Sequence, residues 1–383
     1  AEQGVATYGA APAHLCGALR DRAAVVRSLQ CCWWPYRLEF RTQLATARGE
    51  LWERRGLIVE LRTPDGVTGL GDVAPWPGSE AQALREAEAW LTSLRQAGAF
   101  CDERSLCQAL DRVPALADGA RAARAAVETA LLDLKAQREG VMLARWLHPT
   151  ARLTVAVNAL IGLLDVETTV TAACQAVAAG YSTLKLKVRL EPSEAERVAA
   201  VRAAVGSTVR LRLDANGAAT VEQALAFARA VAPLDVEYLE QPVGTLEELA
   251  EFRRRSPVPV AADEVLLGLE TVERALALAA ADVHVLKVPL LGGPRRLLAA
   301  VEQAARCGVE AVVTSVFESG IGLAAALHTA AALPGNERAH GLATAVLLRS
   351  LGTVERFEPV GGRLRLPPGS GLGVRWDEGQ ADR

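Results

Sequence analysis

Five short runs, TLKLKV (183–188), RLRLDAN (210–216), VEYLEQP (236–242), PVAADE (259–264) and VHVLKV (283–288), decide the architecture. Each is apolar in its body, and the gaps between them read as amphipathic, Ala-rich helices, as at 191–205 and 221–232. The series extends on both sides, through TVAVNAL (154–160) and, after a helix at 293–307, EAVVTSV (310–316). Strands recurring about every 25 to 30 residues with a helix in each gap predict parallel strands joined by right-handed crossovers. Roughly seven such units in a row predict an α/β fold closed into a barrel. An open doubly wound sheet would carry a Gly-rich phosphate turn after its first strand. Ile161-Gly162-Leu163-Leu164 is not one.

Strand periodicity sorts the charges. Side chains alternate along a strand, so Lys185 and Lys187 share one face while Leu184, Leu186 and Val188 share the other. The same parity groups Arg212, Asp214 and Asn216, then Tyr238 with Glu240, Ala261 with Asp263, and Val285 with Lys287. In each run a charged residue stands at or near the C-terminal end, the end at which barrels build active sites. Taken singly these residues are ordinary: K-x-K strands are solvated edges, D-x-N is a turn, and Asp before a helix is an N-cap. Together they place three carboxylates and three lysines at one end of successive strands, facing inward. Buried ionisable groups persist only when paired or metal-bound.

That set has a chemical reading. Asp214, Glu240 and Asp263 form a hard oxygen site suited to Mg²⁺, with Mn²⁺ as a substitute. Such an ion can hold a small-molecule carboxylate while its α-proton leaves. Lys187 and Lys287 supply acid and base groups, and Lys185, a second cation beside Lys187, favours its neutral form.

Working outward, residues 37–44, 55–62 and 67–73 read as a strand meander with a turn at Pro64-Asp65-Gly66. Helical periodicity follows at 79–97, 103–112 and 118–138. Strands followed by helices make a small α+β unit. The expected division is therefore a capping domain over 36–150, a barrel over 151–352 and a C-terminal segment, 353–383, packing back on the cap. Residues 1–35 lie outside this pattern and read as an extension, a linker or a targeting remnant. A chain that opens on Ala1 and whose one methionine is Met142 reads as a processed or excised piece.

Composition narrows the class. Half the residues are hydrophobic and the net charge is −3, which excludes a disordered chain and argues against a nucleic-acid partner. No apolar run is long enough for a transmembrane helix, so no membrane partner is expected. Seven cysteines without a C-x-x-C pair suit a reducing compartment. The cytoplasm is the expected location, or a plastid if residues 1–35 are a transit remnant.

The assembled motifs resemble the enolase superfamily, in its muconate-lactonising subgroup. The matching pieces are K-L-K (185–187), D-A-N (214–216), E-Q-P (240–242), A-D-E (262–264) and L-K-V-P-L-L-G-G (286–293). G-L-G-D-V-A-P (69–75) resembles the segment that closes the capping sheet, with Asp72 where a Glu is usual. Within the subgroup, T-S-V-F-E-S-G-I-G-L (314–323), A-H-G-L-A-T (339–344), P-W-P-G (75–78) and residues 35–49 resemble the o-succinylbenzoate synthases. Thr314 replaces a commoner Ser, and Ala343 replaces the Asp of a G-L-D-T pattern.

The resemblance implies an enolase-like modified (β/α) barrel with an N-terminal α+β capping domain. It implies a Mg²⁺-dependent lyase that dehydrates a cyclohexadiene carboxylate in menaquinone or phylloquinone synthesis. Lys187 would be the acid/base, Lys287 an electrostatic stabiliser and Lys185 a tuning residue. An N-succinylamino-acid racemase would use the same lysines, and a catalytically silent barrel would have lost one of them. Arg41 and Arg48, in the loop that closes over substrate, could meet a carboxylate. Asn216, Ser315 and Ser319 complete the candidate substrate contacts. His284, His328 and His340 read as structural.

Overall fold

The computed structural model describes residues 28–46, 49–112, 117–217, 219–335, 338–377 and 379. Strands β1 (Gln30–Thr46), β2 (Gly49–Arg62) and β3 (Thr68–Val73) form an antiparallel sheet in that order. Helices α1 (Glu80–Gln96), α2 (Glu103–Asp111) and α3 (Asp118–Arg138) follow, then the short α4 (Leu143–Leu147). The sheet begins at Gln30, inside the segment that the sequence pattern set aside, because Cys31 and Leu29 are buried with the cap's apolar residues.

Both faces of this sheet are covered. Leu57, Val59, Leu61 and Val73 face α1 and α3, among Leu91, Val127 and Leu131. Tyr36, Leu38, Phe40 and Ile58, of opposite parity, join the core shared with the barrel. Each fully buried aliphatic side chain contributes about 1.5–3 kcal/mol. Gly69 and Gly71 let β3 lie directly on α3: a Cβ at Gly71 would stand 1.9 Å from the Ala126 carbonyl oxygen.

The barrel alternates strand and helix. It runs β4 (Thr154–Ala156), β5 (Ala159–Ile161), α5 (Val166–Ala178), β6 (Thr183–Lys187), α6 (Pro192–Val205), β7 (Arg210–Asp214) and α7 (Val221–Val231). Next come β8 (Val236–Glu240), α8 (Leu246–Arg255), β9 (Val260–Ala262), α9 (Leu269–Ala277), β10 (Val283–Leu286), α10 (Val288–Leu291), α11 (Pro294–Arg306), β11 (Glu310–Val313) and α12 (Gly320–Ala332). β5 to β11 pair in sequence order as one parallel sheet.

The ring is closed without a full eighth strand. His340 pairs with Val157 and Gly341 with Thr314, each as an isolated bridge, and the His340 N–H donates to Ala156 O at 2.7 Å. The expected strand over 154–160 is divided: β4 turns away to pair antiparallel with β12 (Arg363–Arg365), and β5 alone enters the barrel. The lumen holds Tyr238, Ala261, Val283, Val285 and Val312, the parity expected to face inward. The C-terminal segment reaches the cap: Trp376 lies 5.8 Å from the Tyr36 ring, and Asp133 of α3 accepts from the Leu372 N–H at 2.7 Å. No helix among the described residues is long and apolar enough to cross a membrane.

Candidate active site

Strand ends position the site. Parallel pairing sets Lys187 beside Asp214 and Asp214 beside Glu240, so neighbouring strands deliver their charged residues at one level. Lys185 and Lys187 each donate to the same oxygen, Asp214 Oδ2, at 2.8 Å. Lys185 also donates to Glu240 Oε1 at 2.7 Å, and Lys187 to Asn216 Oδ1 at 2.8 Å. Lys287 pairs with Asp263, and its Nζ lies 5.0 Å from the centre of the Trp76 ring, which the cap contributes. Lys287 and Lys185 are nearly buried, at 7% and 12% side-chain exposure, whereas Lys187 keeps 28% and faces the opening.

Burial and mutual repulsion shape the acids. Glu240 is pushed up to about 8, mainly by burial, with Asp214 and Asp263 adding repulsion and Lys185 opposing it. Asp214 is also buried, but two lysines hold it well below the usual carboxylate range. Lys185 is held far above the ordinary lysine range: burial works against its charge, but Asp214, Glu240 and Asp263 outweigh it. The Nζ atoms of Lys185 and Lys187 thus converge on one Asp214 oxygen.

Among the described residues the acids are turned onto lysines rather than gathered into a cage. The donor set nonetheless fits a hard cation. Three carboxylates end adjacent strands, and Glu240 Oε2 is buried without a hydrogen-bond partner. A divalent ion is what such an oxygen lacks.

Arg212, on the same strand face as Asp214, is structural. It is fully buried deeper in the barrel, donates to Glu237 at 2.6 Å and to Ala339 O at 2.7 Å, and stacks on Tyr238. Ser315 and Ser319, expected as substrate contacts, each donate the hydroxyl proton inside the protein. Ser315 Oγ donates to Glu318 Oε2, and Ser319 Oγ to Asp72 Oδ2, both at 2.6 Å. With the Tyr36 hydroxyl also on Asp72, at 2.9 Å, these residues form a seam between cap and barrel. Arg41 is exposed on β1, and Arg48 lies outside the described residues.

The histidines are structural and neutral. Burial lowers His284 and His328 to about 4, and His340 to about 3 with help from Arg152 and Arg212. His328 accepts from the Ala144 N–H and donates to Leu372 O, tying α12 to α4 and the C-terminal segment.

Two residues escaped the sequence reading. Gln241 accepts the Asp263 N–H at 2.9 Å and so couples the ends of β8 and β9. Its φ of 41° is the local signal, but it is invisible in sequence. Glu264 accepts from Asn216 Nδ2 at 2.7 Å. Strand parity assigned it outward, but the chain bends just after β9.

A closed barrel carrying paired acids and lysines at its strand ends, under an α+β cap, defines an enolase-type protein. Residues 168–380 match the family described as enolase C-terminal domain-like, and residues 36–147 match the mandelate racemase/muconate lactonizing enzyme N-terminal domain. The chain belongs to this enolase-like family.

Among curated proteins, an o-succinylbenzoate synthase of Thermobifida fusca is 44% identical over 209 residues, 54% of this chain and 64% of that protein. One from Mycobacterium ulcerans is 46% identical over 171 residues, 43% of this chain and 50% of that protein. The chain thus spans between half and 64% of the length of these relatives. Among solved structures, the L-Ala-D/L-Glu epimerase of Bacillus subtilis is 25% identical with a TM-score of 0.82, covering 93% of this chain and all of that one. A dipeptide epimerase from Enterococcus faecalis, complexed with Mg and a dipeptide, is also 25% identical, with a TM-score of 0.79 over 92% and 99% of the two chains.

Proposed function

We propose that this chain is a lyase that dehydrates 2-succinyl-6-hydroxy-2,4-cyclohexadiene-1-carboxylate to 2-succinylbenzoate, in menaquinone or phylloquinone synthesis. The observation that carries this reading is the pair of lysines, Lys187 and Lys287, on either side of three strand-end carboxylates. The names of the curated relatives supply the product, o-succinylbenzoate.

Asp214, Glu240 and Asp263 would hold Mg²⁺, or Mn²⁺ in its place. A bound ion supplies positive charge against the substrate carboxylate. Lys187 Nζ, the most open of the three lysines, takes the proton from the carbon bearing that carboxylate. It then returns a proton to the hydroxyl on the neighbouring carbon. The C–O bond breaks, its electron pair departs with the water, and the pair freed from the C–H bond forms the double bond that completes the aromatic ring. Lys287, fixed by Asp263 and faced by Trp76, stays an ammonium and stabilises negative charge on the far side. Lys185 spans Asp214 and Glu240 and holds the two acids together.

A second reading has its own support. Lys187 and Lys287 stand on β6 and just after β10, separated by three strands, the placement that two-base racemisation of an N-succinylamino acid needs. Purified protein with Mg²⁺ and both substrates in parallel assays tests the two readings. Dehydration is expected to be the faster reaction, and its absence rejects the lyase assignment. The cytoplasm is the proposed location, supported by six described cysteines that are all free.

A further inference from the structure

We propose that Glu264 is a positioning residue for Lys187 and acts through the side-chain amide of Asn216. The proposal rests on Lys187 being the base of the reaction proposed above. Lys187 Nζ touches two acceptors, Asp214 Oδ2 and Asn216 Oδ1, each at 2.8 Å. The first is a charged oxygen deep in the barrel. The second is one end of an amide that presents either oxygen or NH₂, depending on a rotation of its last torsion.

Everything else about Asn216 is pinned. Its backbone is left-handed at φ 51°, and its N–H donates to Asp214 Oδ1 at 3.2 Å. The flanking amides, Ala215 and Gly217, donate to Glu240 O at 3.1 Å and Gln241 O at 2.6 Å. Only the amide's direction is left open, and Glu264 closes it. Asn216 Nδ2 donates to Glu264 Oε1 at 2.7 Å.

A carboxylate only accepts and an ammonium only donates. Asn216 thus turns its oxygen to Lys187 and its NH₂ to Glu264, and with Lys187 charged and Glu264 ionised, turning the amide over would break both contacts together. Glu264 is therefore what directs an acceptor at Lys187. The relay crosses three strand ends, from β9 through β7 to β6. Its value lies in precision, because a long lysine stem carries a rotor, and a misplacement of about 1 Å at a reacting group costs about 10²-fold.

The test separates reach from charge. Glu264→Gln keeps an oxygen for Asn216 Nδ2 and removes the charge, whereas Glu264→Asp keeps the charge and draws the oxygen back by one methylene. Glu264→Asp and Glu264→Ala are expected to lower kcat about 10- to 100-fold, the usual cost of losing such a support, with KM changed less than about twofold. Glu264→Gln is expected to recover most of the loss. In the Asn216→Ala background, Glu264→Ala should cost nothing further.

The second readout needs no substrate. In protein selectively ¹⁵N-labelled at asparagine, the Asn216 side-chain amide signals should move in Glu264→Asp and stay near their wild-type positions in Glu264→Gln. Mg²⁺ affinity by calorimetry should be alike in both. Additive losses in the double variant, an Asn216 amide that ignores Glu264→Asp, or a shared loss of Mg²⁺ affinity in Gln and Ala variants would each overturn the relay. Wild-type protein inactive on both substrates overturns the functional reading alone, and the amide signals then decide the relay by themselves.

Discussion

Lys187 and Lys287 are held with unequal freedom. Lys187 is the more open, held by Asp214 and Asn216, while Lys287 is locked between Asp263 and the Trp76 face. Dehydration asks only Lys187 to move a proton, so Lys187→Ala is expected to lower kcat/KM by at least about 10²–10⁴-fold. Lys287→Arg retains a cation that can pair with Asp263 and stack on Trp76, so it should keep more dehydration than Lys287→Ala. It should abolish racemisation in at least one direction, since an arginine is effectively never deprotonated. Measuring kcat/KM on both substrates for the three variants checks this, and near-normal dehydration by Lys187→Ala would remove that lysine from the chemistry. Asp214→Asn leaves one of three anionic oxygens neutral, and calorimetry is expected to show most Mg²⁺ affinity gone in a folded protein.

These residues were legible because alternation within a strand is rigid: once Leu184 and Leu186 are outward, Lys185 and Lys187 must be inward. The rule ends where the strand ends. Gln241 and Glu264 sit just past the ends of β8 and β9, where backbone bends set direction, and no spacing announces a φ of 41°. The partners of Ser315 and Ser319 were hidden for another reason. A serine in a loop gives no sign of whether its one proton is already donated, and here Glu318 and Asp72 take both.

At the scale of elements, the segment G-L-G-D explains itself through two faces of one strand. Gly69 and Gly71 face α3, where a Cβ would meet the Ala130 and Ala126 carbonyl oxygens at 2.0 and 1.9 Å. Asp72, of the other parity, reaches the first residues of α12 through Ser319. Gly71→Ala must push β3 off backbone atoms that cannot yield, and a loss of about 1–3 kcal/mol is expected. Because the same displacement moves Asp72, catalytic efficiency should fall with stability. Urea unfolding beside kcat/KM checks the coupling, and a variant as stable as wild type would show that β3 has slack. The eighth barrel strand is the element that sequence rendered least well, since two bridged residues, His340 and Gly341, stand in for it.

At the scale of the molecule, Asp133 gathers α3, β3 and the C-terminal segment by accepting the N–H groups of Leu70 and Leu372. Burial raises it to about 6, against those hydrogen bonds, which lower it. An acid raised in the folded state holds its proton more tightly there than in the unfolded chain. Its contribution is therefore full below the unfolded value, near pH 4, and is lost as pH rises through about 6. The stability of wild type relative to Asp133→Asn should fall across that window, by roughly 3 kcal/mol at most. Urea titrations of both proteins at pH 4, 5, 6 and 7 would show it, and a flat difference would mean that Asp133 does not titrate there.

The Leu372 contact also has a temporal side. The cap is drawn from early sequence, but Asp133 receives its bond from Leu372, and Tyr36 its ring contact from Trp376. On a ribosome adding about 5–20 residues per second, the nascent cap must wait tens of seconds for these partners to emerge. Until then the Tyr36 face of its sheet lacks the Trp376 contact, and it lacks the barrel until the barrel has formed. Ribosome-stalled chains that end before residue 366 are accordingly expected to be cleaved in the cap by a protease that spares the released protein, and equal resistance would show that the cap matures alone. Synthesis order thus makes this domain, translated before the barrel, one of the last to be finished.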